Sequence, residues 1–107
     1  MTYNDPKPLE RWRIAKVRRK PTDTVWAAHA YAYSIMEDAG FVTSEITRFN
    51  DKTMVLTTKT GDRYVLTGEP GNSRDASAAW LKFLERQRIT DVVDISTRYL
   101  PKKGRAA

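Results

Sequence analysis

The chain lacks cysteine altogether and has one histidine among its 107 residues. Without cysteine it can form no disulfide, no thiolate metal site and no cysteine nucleophile. Small secreted domains usually depend on disulfides, so we expect a cytoplasmic protein. One histidine cannot build a histidine-rich metal site. The apolar surroundings of His29 are typical of a packed, hydrogen-bonded core histidine.

Long apolar runs are missing as well. Residues 1–20 contain no apolar segment of the kind that signal peptides have, and no run approaches the roughly 20 residues that cross a bilayer. The carboxylates are scattered, and no pair is placed for acid–base catalysis. The sequence therefore predicts a protein that is not an enzyme, needs no cofactor or metal, and has no membrane partner.

What is present suffices for one small folded domain. A length of 107 residues is close to the commonest domain size of roughly 100–150. Three tryptophans, five tyrosines and three phenylalanines can supply a core, because each buries a large apolar area.

Positive charge is concentrated at the two ends of the chain. Residues 1–21 carry seven basic and two acidic side chains, residues 90–107 carry four and two, and the middle is close to neutral. We therefore expect a basic N-terminal segment (1–21), a folded domain (22–99) and a basic, disordered tail (100–107). Basic ends are typical of proteins that grip a polyanion, and they can equally be solubilising tails.

The clearest secondary-structure pattern predicts a helix over residues 23–39. Its apolar side chains recur every three to four residues, and Gly40 can end it in the left-handed conformation. Residues rich in β-branched and aromatic side chains follow. They predict strands at 41–49, 53–60 and 63–67, which would form an antiparallel meander.

The segments on either side complete the predicted fold. Asn72 or Ser73 can cap a second helix that ends near residue 88. Residues 9–20 fit both a helix and a strand, with a short helix or turn favoured, and residues 90–99 could add a strand. The predicted fold class is α+β with the order α-β-β-β-α, in which both helices cover one face of a three-stranded sheet.

This order over residues 22–88 resembles the double-stranded RNA-binding domain in layout. In that family the first helix, the loop between the first two strands and the basic start of the second helix contact RNA. Here the loop at residues 50–52 is short and lacks the family's Gly-Pro and His. Where the family has several lysines at the start of its second helix, this chain offers only Arg74 and, farther along, Lys82. The resemblance implies duplex RNA as a partner and rests on element order, which alone does not determine function.

Two segments could contact an anion. The loop 68–74 opens a helix, whose N–H groups attract phosphate, although Glu69 and Asp75 oppose this. Residues 7–20 hold seven basic side chains, and each phosphate they neutralise would release counterions. Trp12 could stack on a base or anchor the segment to the core. The predicted binding residues are Arg11, Trp12, Arg13, Lys16, Arg18, Arg19, Lys20, Arg74, Lys102, Lys103 and Arg105.

The charge placement favours a non-catalytic protein that binds DNA or RNA through its phosphate backbone. The alternative hypothesis is a small inhibitor or adaptor that binds a single protein, for example a nucleic-acid-processing enzyme. Its contact surface would be the open sheet face or the same basic segment. The two hypotheses differ in whether the free chain binds nucleic acid in a salt-dependent way.

Overall fold

The structure is a computed structural model that describes residues 5–100. Within this range one mixed sheet of seven strands is accompanied by a single α-helix. The strands are β1 (Lys7–Arg18), β2 (Ala27–Ser34), β3 (Ala39–Val42), β4 (Ile46–Asn50), β5 (Val55–Thr58), β6 (Arg63–Thr67) and β7 (Asp91–Asp94). The helix α1 spans Arg74–Gln87, and a 3₁₀ turn follows β7 at Ser96–Tyr99.

Strand β1 lies at the centre of the sheet, whose order is β3-β2-β1-β6-β5-β4. One side of β1 pairs with β2 in an antiparallel sense. The other side pairs with β6 in parallel at its start and with β7 in an antiparallel sense at its end. The sheet is strongly curved. The rings of Phe41 on β3 and Tyr64 on β6 approach to 5.5 Å, although β2 and β1 lie between these two strands in the sheet order.

A bulge in β1 explains why its sequence fits two periods. The pairing with β2 shifts between Glu10 and Arg13, and Arg11 takes a left-handed φ of 50°. The extra residue turns Leu9 and Trp12, three positions apart, to the same concave face. The helical spacing at the start of this segment is therefore produced by a bulged strand, and the favoured helix or turn at residues 9–20 was wrong.

The two faces of the curved sheet bury two separate cores. The concave face encloses Trp12 and Ile14 from β1, together with Leu56, Tyr64 and Leu66 from β5 and β6. The convex face of β1, β2 and β3 is covered by α1, whose Trp80 packs on Ala15, Val17 and Tyr31. The helix begins as the sequence predicts, because the Ser73 hydroxyl accepts a hydrogen bond from the Ala76 N–H at 3.2 Å.

The predicted order α-β-β-β-α is wrong, because the segment 23–39 contains no helix. Its centre is strand β2, and β3 begins at Ala39. Along β2, the alanines at 28, 30 and 32 face the concave core, and His29, Tyr31 and Tyr33 alternate with them toward the helix side of the sheet. Burial on both faces outweighs the small helical preference of alanine, which amounts to a few tenths of a kcal/mol per residue. The layout that resembled the RNA-binding family is therefore absent.

Of the other predicted strands, the one at 63–67 is confirmed as β6, and the rest differ in extent from the prediction. The predicted strand at 41–49 is two strands, β3 and β4, which lie at opposite ends of the sheet order. Strands β4, β5 and β6 form an antiparallel meander. Residues 90–99 contribute β7 and the 3₁₀ turn, which returns Tyr99 to the ring of Phe49 at 4.7 Å.

The length and composition of the helices show whether one of them could cross a membrane. Among residues 5–100, no helix combines the length and the apolar character that a membrane span requires.

Candidate nucleic-acid interface

Four basic residues lie within five positions where β1 ends. Lys16, Arg18, Arg19 and Lys20 are named here the basic strand end. Strand alternation places Lys16 and Arg18 on the face that buries Trp12 and Ile14, one and two steps beyond the core. On this one face of β1, apolar core residues are therefore followed by basic residues toward the end of the strand.

Trp26 organises the first two of these cations. It comes one residue before β2, and β2 pairs with the end of β1 so that Lys16 lies opposite Ala28. The Lys16 Nζ lies 4.7 Å from the centroid of the Trp26 ring, and the Arg18 Cζ lies 4.3 Å from it. Both distances are within the range of cation–π attraction, so the ring holds the two charges side by side.

Arg18 is already paired with the protein itself. Its Nε donates to the Asp91 carboxylate at 2.6 Å, and its Nη1 donates to the Asp23 carbonyl at 3.0 Å. Its side chain is only 23% exposed. Arg18 therefore fixes β7 and the loop after β1, and little of its charge is available to a ligand.

The other three cations are more available. Arg19 is exposed and donates from Nη2 to the neutral amide oxygen of Gln87 at 3.1 Å. Lys20 is exposed, and its backbone N–H donates to the Asp23 carboxylate at 3.3 Å. Among residues 5–100, no carboxylate forms an ion pair with the side chains of Lys16, Arg19 or Lys20. Arg19 and Lys20 face solvent, Lys16 is partly buried beside Trp26, and all three can attract an anion.

The structure divides the predicted basic stretch into two groups. Arg11 lies on the bulge, where its guanidinium forms an ion pair with Glu10 at 3.6 Å. Its Cα is close to Gly71, in the loop that leads to the exposed Arg74 at the start of α1. At about 3.3 Å per strand residue, five residues separate Arg11 from Lys16 by roughly 16 Å. Arg11 is therefore separate from the basic strand end and lies close to the loop that leads to Arg74.

Trp12 anchors β1 in the concave core and exposes no surface that could contact a ligand. It is fully buried, and its Nε1 donates to the Gly68 carbonyl at 3.2 Å. Of the two roles that its sequence context allows, the structure shows the anchoring one.

Arg13 is engaged in an ion pair with Asp94 on β7 at 3.0 Å. Burial alone would raise the pKa of the Asp94 carboxyl. The hydrogen bonds from Ser96 and Arg13, with the positive charge of Arg13, outweigh burial and hold this pKa below its usual value. Asp94 and Arg13 therefore join β7 to β1 in their ionised forms.

This pairing predicts acid sensitivity that Asp94→Asn should reduce. Since the folded-state pKa of Asp94 is lowered, its stabilising contribution is present above the unfolded pKa of about 4 and is lost as pH falls through the folded value. At pH 7 we expect the variant to be less stable by under about 1 kcal/mol, since the pair is partly exposed. Between pH 7 and 3 it should lose less stability than the parent protein.

Urea unfolding at both pH values measures these differences, with Glu69→Gln as a control that removes an exposed carboxylate. Equal losses between pH 7 and 3 for the parent protein and Asp94→Asn would contradict the assignment.

Lys102, Lys103 and Arg105 lie outside the described residues. Trp26 was not among the predicted binding residues, because it lies in the segment 23–39 that the sequence predicts to be a helix. The signal that could have identified it is the alternation from residue 26 to 33, which predicts a strand with Trp26 on the face of Lys16.

His29 matches its expected role in hydrogen bonding and packing, although it lies on a strand. Its Nδ1 donates to the Thr43 carbonyl at 2.9 Å, and its ring packs at a tilt on Phe83 at 4.9 Å. It lines an open groove of about 450 Å³ beside Arg18, Arg19 and Glu45. No group of three or more histidine, aspartate or glutamate side chains in the described part of the chain is arranged to hold a metal ion.

Comparison with known proteins does not assign this arrangement to a family. No protein family, no curated protein and no solved structure matches the chain significantly. The function of this protein is therefore inferred from its own geometry.

Proposed function

We propose that this protein binds nucleic acid without catalysis and contacts the phosphate backbone through the basic strand end. The observation that carries the proposal is the set of three cations at the end of β1, Lys16, Arg19 and Lys20, which form no ion pair with a described carboxylate. Each contact between such a cation and a phosphate releases counterions, and this gives affinity with little dependence on base sequence.

The neighbouring groups support this surface in different ways. Trp26 and the ion pair between Arg18 and Asp91 fix the end of β1, so less conformational freedom is lost when phosphate binds. Arg11, on the bulge of β1, can contact another phosphate farther along an extended strand of nucleic acid. The net charge of +6 adds long-range attraction that raises the rate of encounter.

The test is the triple variant Lys16→Ala, Arg19→Ala, Lys20→Ala, which leaves Arg18 in place because Arg18 supports the fold. We expect the slope of log affinity against log salt to become less steep by about 2, since each phosphate contact contributes roughly 0.7–0.9. The loss of affinity should be similar for unrelated sequences. Titrations of labelled single-stranded DNA, duplex DNA and duplex RNA at two or more salt concentrations measure both quantities.

The matched control removes the same charge elsewhere, through Lys52→Ala, Lys59→Ala and Lys82→Ala, all of which are exposed. If both variants lose affinity equally, the attraction comes from net charge and not from the basic strand end. If the parent protein binds none of the three nucleic acids even at low salt, the proposed function is wrong.

A second candidate function is binding to a single protein target. It is favoured by two adjacent apolar side chains in the turn between β2 and β3, Ile35 and Met36, which are 50% and 66% exposed. Exposed apolar side chains can contribute to protein contacts when they lie together. Replacing both with serine should leave nucleic-acid binding unchanged and abolish capture of such a target.

A further inference from the structure

Strand β3 forms one edge of the sheet and has a neighbour on one side only. Within residues 5–100 it pairs with β2 and with no other strand. The Thr43 N–H just after β3 donates to the Ala30 carbonyl at 2.9 Å. Hydrogen-bonding direction alternates along an antiparallel strand, so Gly40 and Val42 direct their N–H and C=O groups away from β2. These groups can pair with a further strand.

The three edge strands of the sheet differ in how well they are protected. Strand β4 carries a bulge after Ile46 and the exposed Arg48, and β7 has an aspartate at each end. Bulges and charged side chains are the usual means by which an edge is protected from pairing. Strand β3 (Ala39–Val42) has no bulge, no proline and no charged side chain. It is therefore the edge best suited to accept another strand.

A groove runs between this edge and the helix α1. Its volume is about 410 Å³, and residues 40–42 line one side. On the helix side, Ala78 and Ala79 leave room for a peptide, and Phe83 provides an apolar wall. A strand placed beside β3 would contact the helix through every second side chain, since successive side chains point to opposite faces.

The rim of the groove is positively charged. Lys82 and Arg86 are one helical turn apart, are exposed, and both line the groove. No described carboxylate forms an ion pair with either of them. The single acidic residue that lines the groove is Asp75, in the first turn of α1 and close to Gly40. The charge at the middle and far end of the groove is therefore complementary to an acidic chain.

We propose that this groove binds an extended, acidic peptide segment of another protein as an additional strand beside β3. The segment pairs its backbone with Gly40 and Val42. Its acidic side chains on the helix side contact Lys82 and Arg86, and its alternate apolar side chains lie on the face of the sheet that carries Phe41. Main-chain pairing supplies affinity, and the alternation of side chains supplies selectivity. This inference rests on β3 and α1 and is independent of nucleic-acid binding by the basic strand end.

The probe is a fluorescein-labelled hexapeptide of alternating glutamate and valine, and a lysine–valine hexapeptide is its control. We expect the acidic peptide to raise fluorescence anisotropy and the basic one to leave it unchanged. The double variant Lys82→Glu, Arg86→Glu should bind the acidic peptide at least about tenfold more weakly. The variant Lys52→Glu, Lys59→Glu changes net charge equally and should bind like the parent protein. Circular dichroism confirms that each variant is folded.

Amide hydrogen exchange followed by NMR locates the peptide directly. The amides of Gly40 and Val42 should exchange more slowly with the acidic peptide bound. The proposal is overturned if these amides are unaffected, if the Lys82 and Arg86 variant binds as well as its control, or if no peptide binds. Binding lost in the Lys16, Arg19 and Lys20 variant but kept in the Lys82 and Arg86 variant would place the peptide at the basic strand end and also overturn it.

Discussion

Trp12→Ala should be the most damaging substitution in this protein, with an expected loss of roughly 3–5 kcal/mol in the free energy of unfolding. Trp12 is fully buried in the concave core, and its Nε1 donates to the Gly68 carbonyl. Removing the ring leaves a cavity and removes this hydrogen bond. Since a domain of this size has a total stability of about 5–15 kcal/mol, much of the variant can be unfolded at room temperature.

Urea unfolding followed by circular dichroism measures this loss, and Trp26→Ala is the matched control. Trp26 is only partly buried, so its replacement should cost much less stability. The milder Trp12→Phe variant should stay folded and should bind nucleic acid like the parent protein, because Trp12 has no exposed surface for stacking. Weakened binding by folded Trp12→Phe, or a loss under about 1 kcal/mol in Trp12→Ala, would contradict the anchoring role.

Gly40→Ala should also destabilise the protein strongly, although it adds only one methyl group. A Cβ at this position would lie 2.0 Å from the Asp75 carbonyl oxygen and 2.7 Å from the Ala76 backbone nitrogen. These are backbone atoms at the start of α1, and they can move only if the helix shifts on the sheet. Overpacking of this kind costs about 1–3 kcal/mol, and sometimes more.

The matched control is Gly71→Ala, whose Cβ would meet the Arg11 Cα at 3.3 Å. A small adjustment relieves that contact, so this variant should lose clearly less stability than Gly40→Ala in the same unfolding experiment. Similar losses for the two variants would show that α1 does not lie as close to β3 as the structure indicates.

The sequence predicts correctly those features that depend on local chemistry. The start of α1 follows from the hydroxyl of Ser73, and β6 follows from a run of β-branched and aromatic residues next to a glycine turn. In both cases the signal lies within a few residues and does not depend on distant parts of the chain.

The first predicted helix fails because its decisive signal comes from tertiary structure. Alanines at 28, 30 and 32 favour a helix when taken alone. In the fold these alanines are small residues that leave space beside Trp12 and Ile14. A strand places all three of them on the one face that meets these side chains. The alanines alternate in sequence with His29, Tyr31 and Tyr33, which is typical of a strand. The apolar residues of the segment also fit the three-to-four-residue spacing of a helix, so the sequence alone does not separate the two.

The predicted binding surface changes for a related reason. The sequence shows seven basic residues between positions 7 and 20 but not the acidic residues that meet them. Asp91 and Asp94 pair with Arg18 and Arg13 from more than seventy positions away, because β7 returns to β1. Charge counting therefore overestimates how much of this segment is available to a ligand.

The central position of β1 also determines when this protein can fold during its synthesis. Its hairpin with β2 can form as soon as residue 34 has left the ribosome. Its other side must wait for β6 and β7, which end at Thr67 and Asp94. Translation at about 5–20 residues per second leaves that side of the strand unpaired for several seconds. During this interval the apolar face of β1, including Trp12, stays exposed to solvent, so we expect slower translation to increase aggregation of the nascent chain.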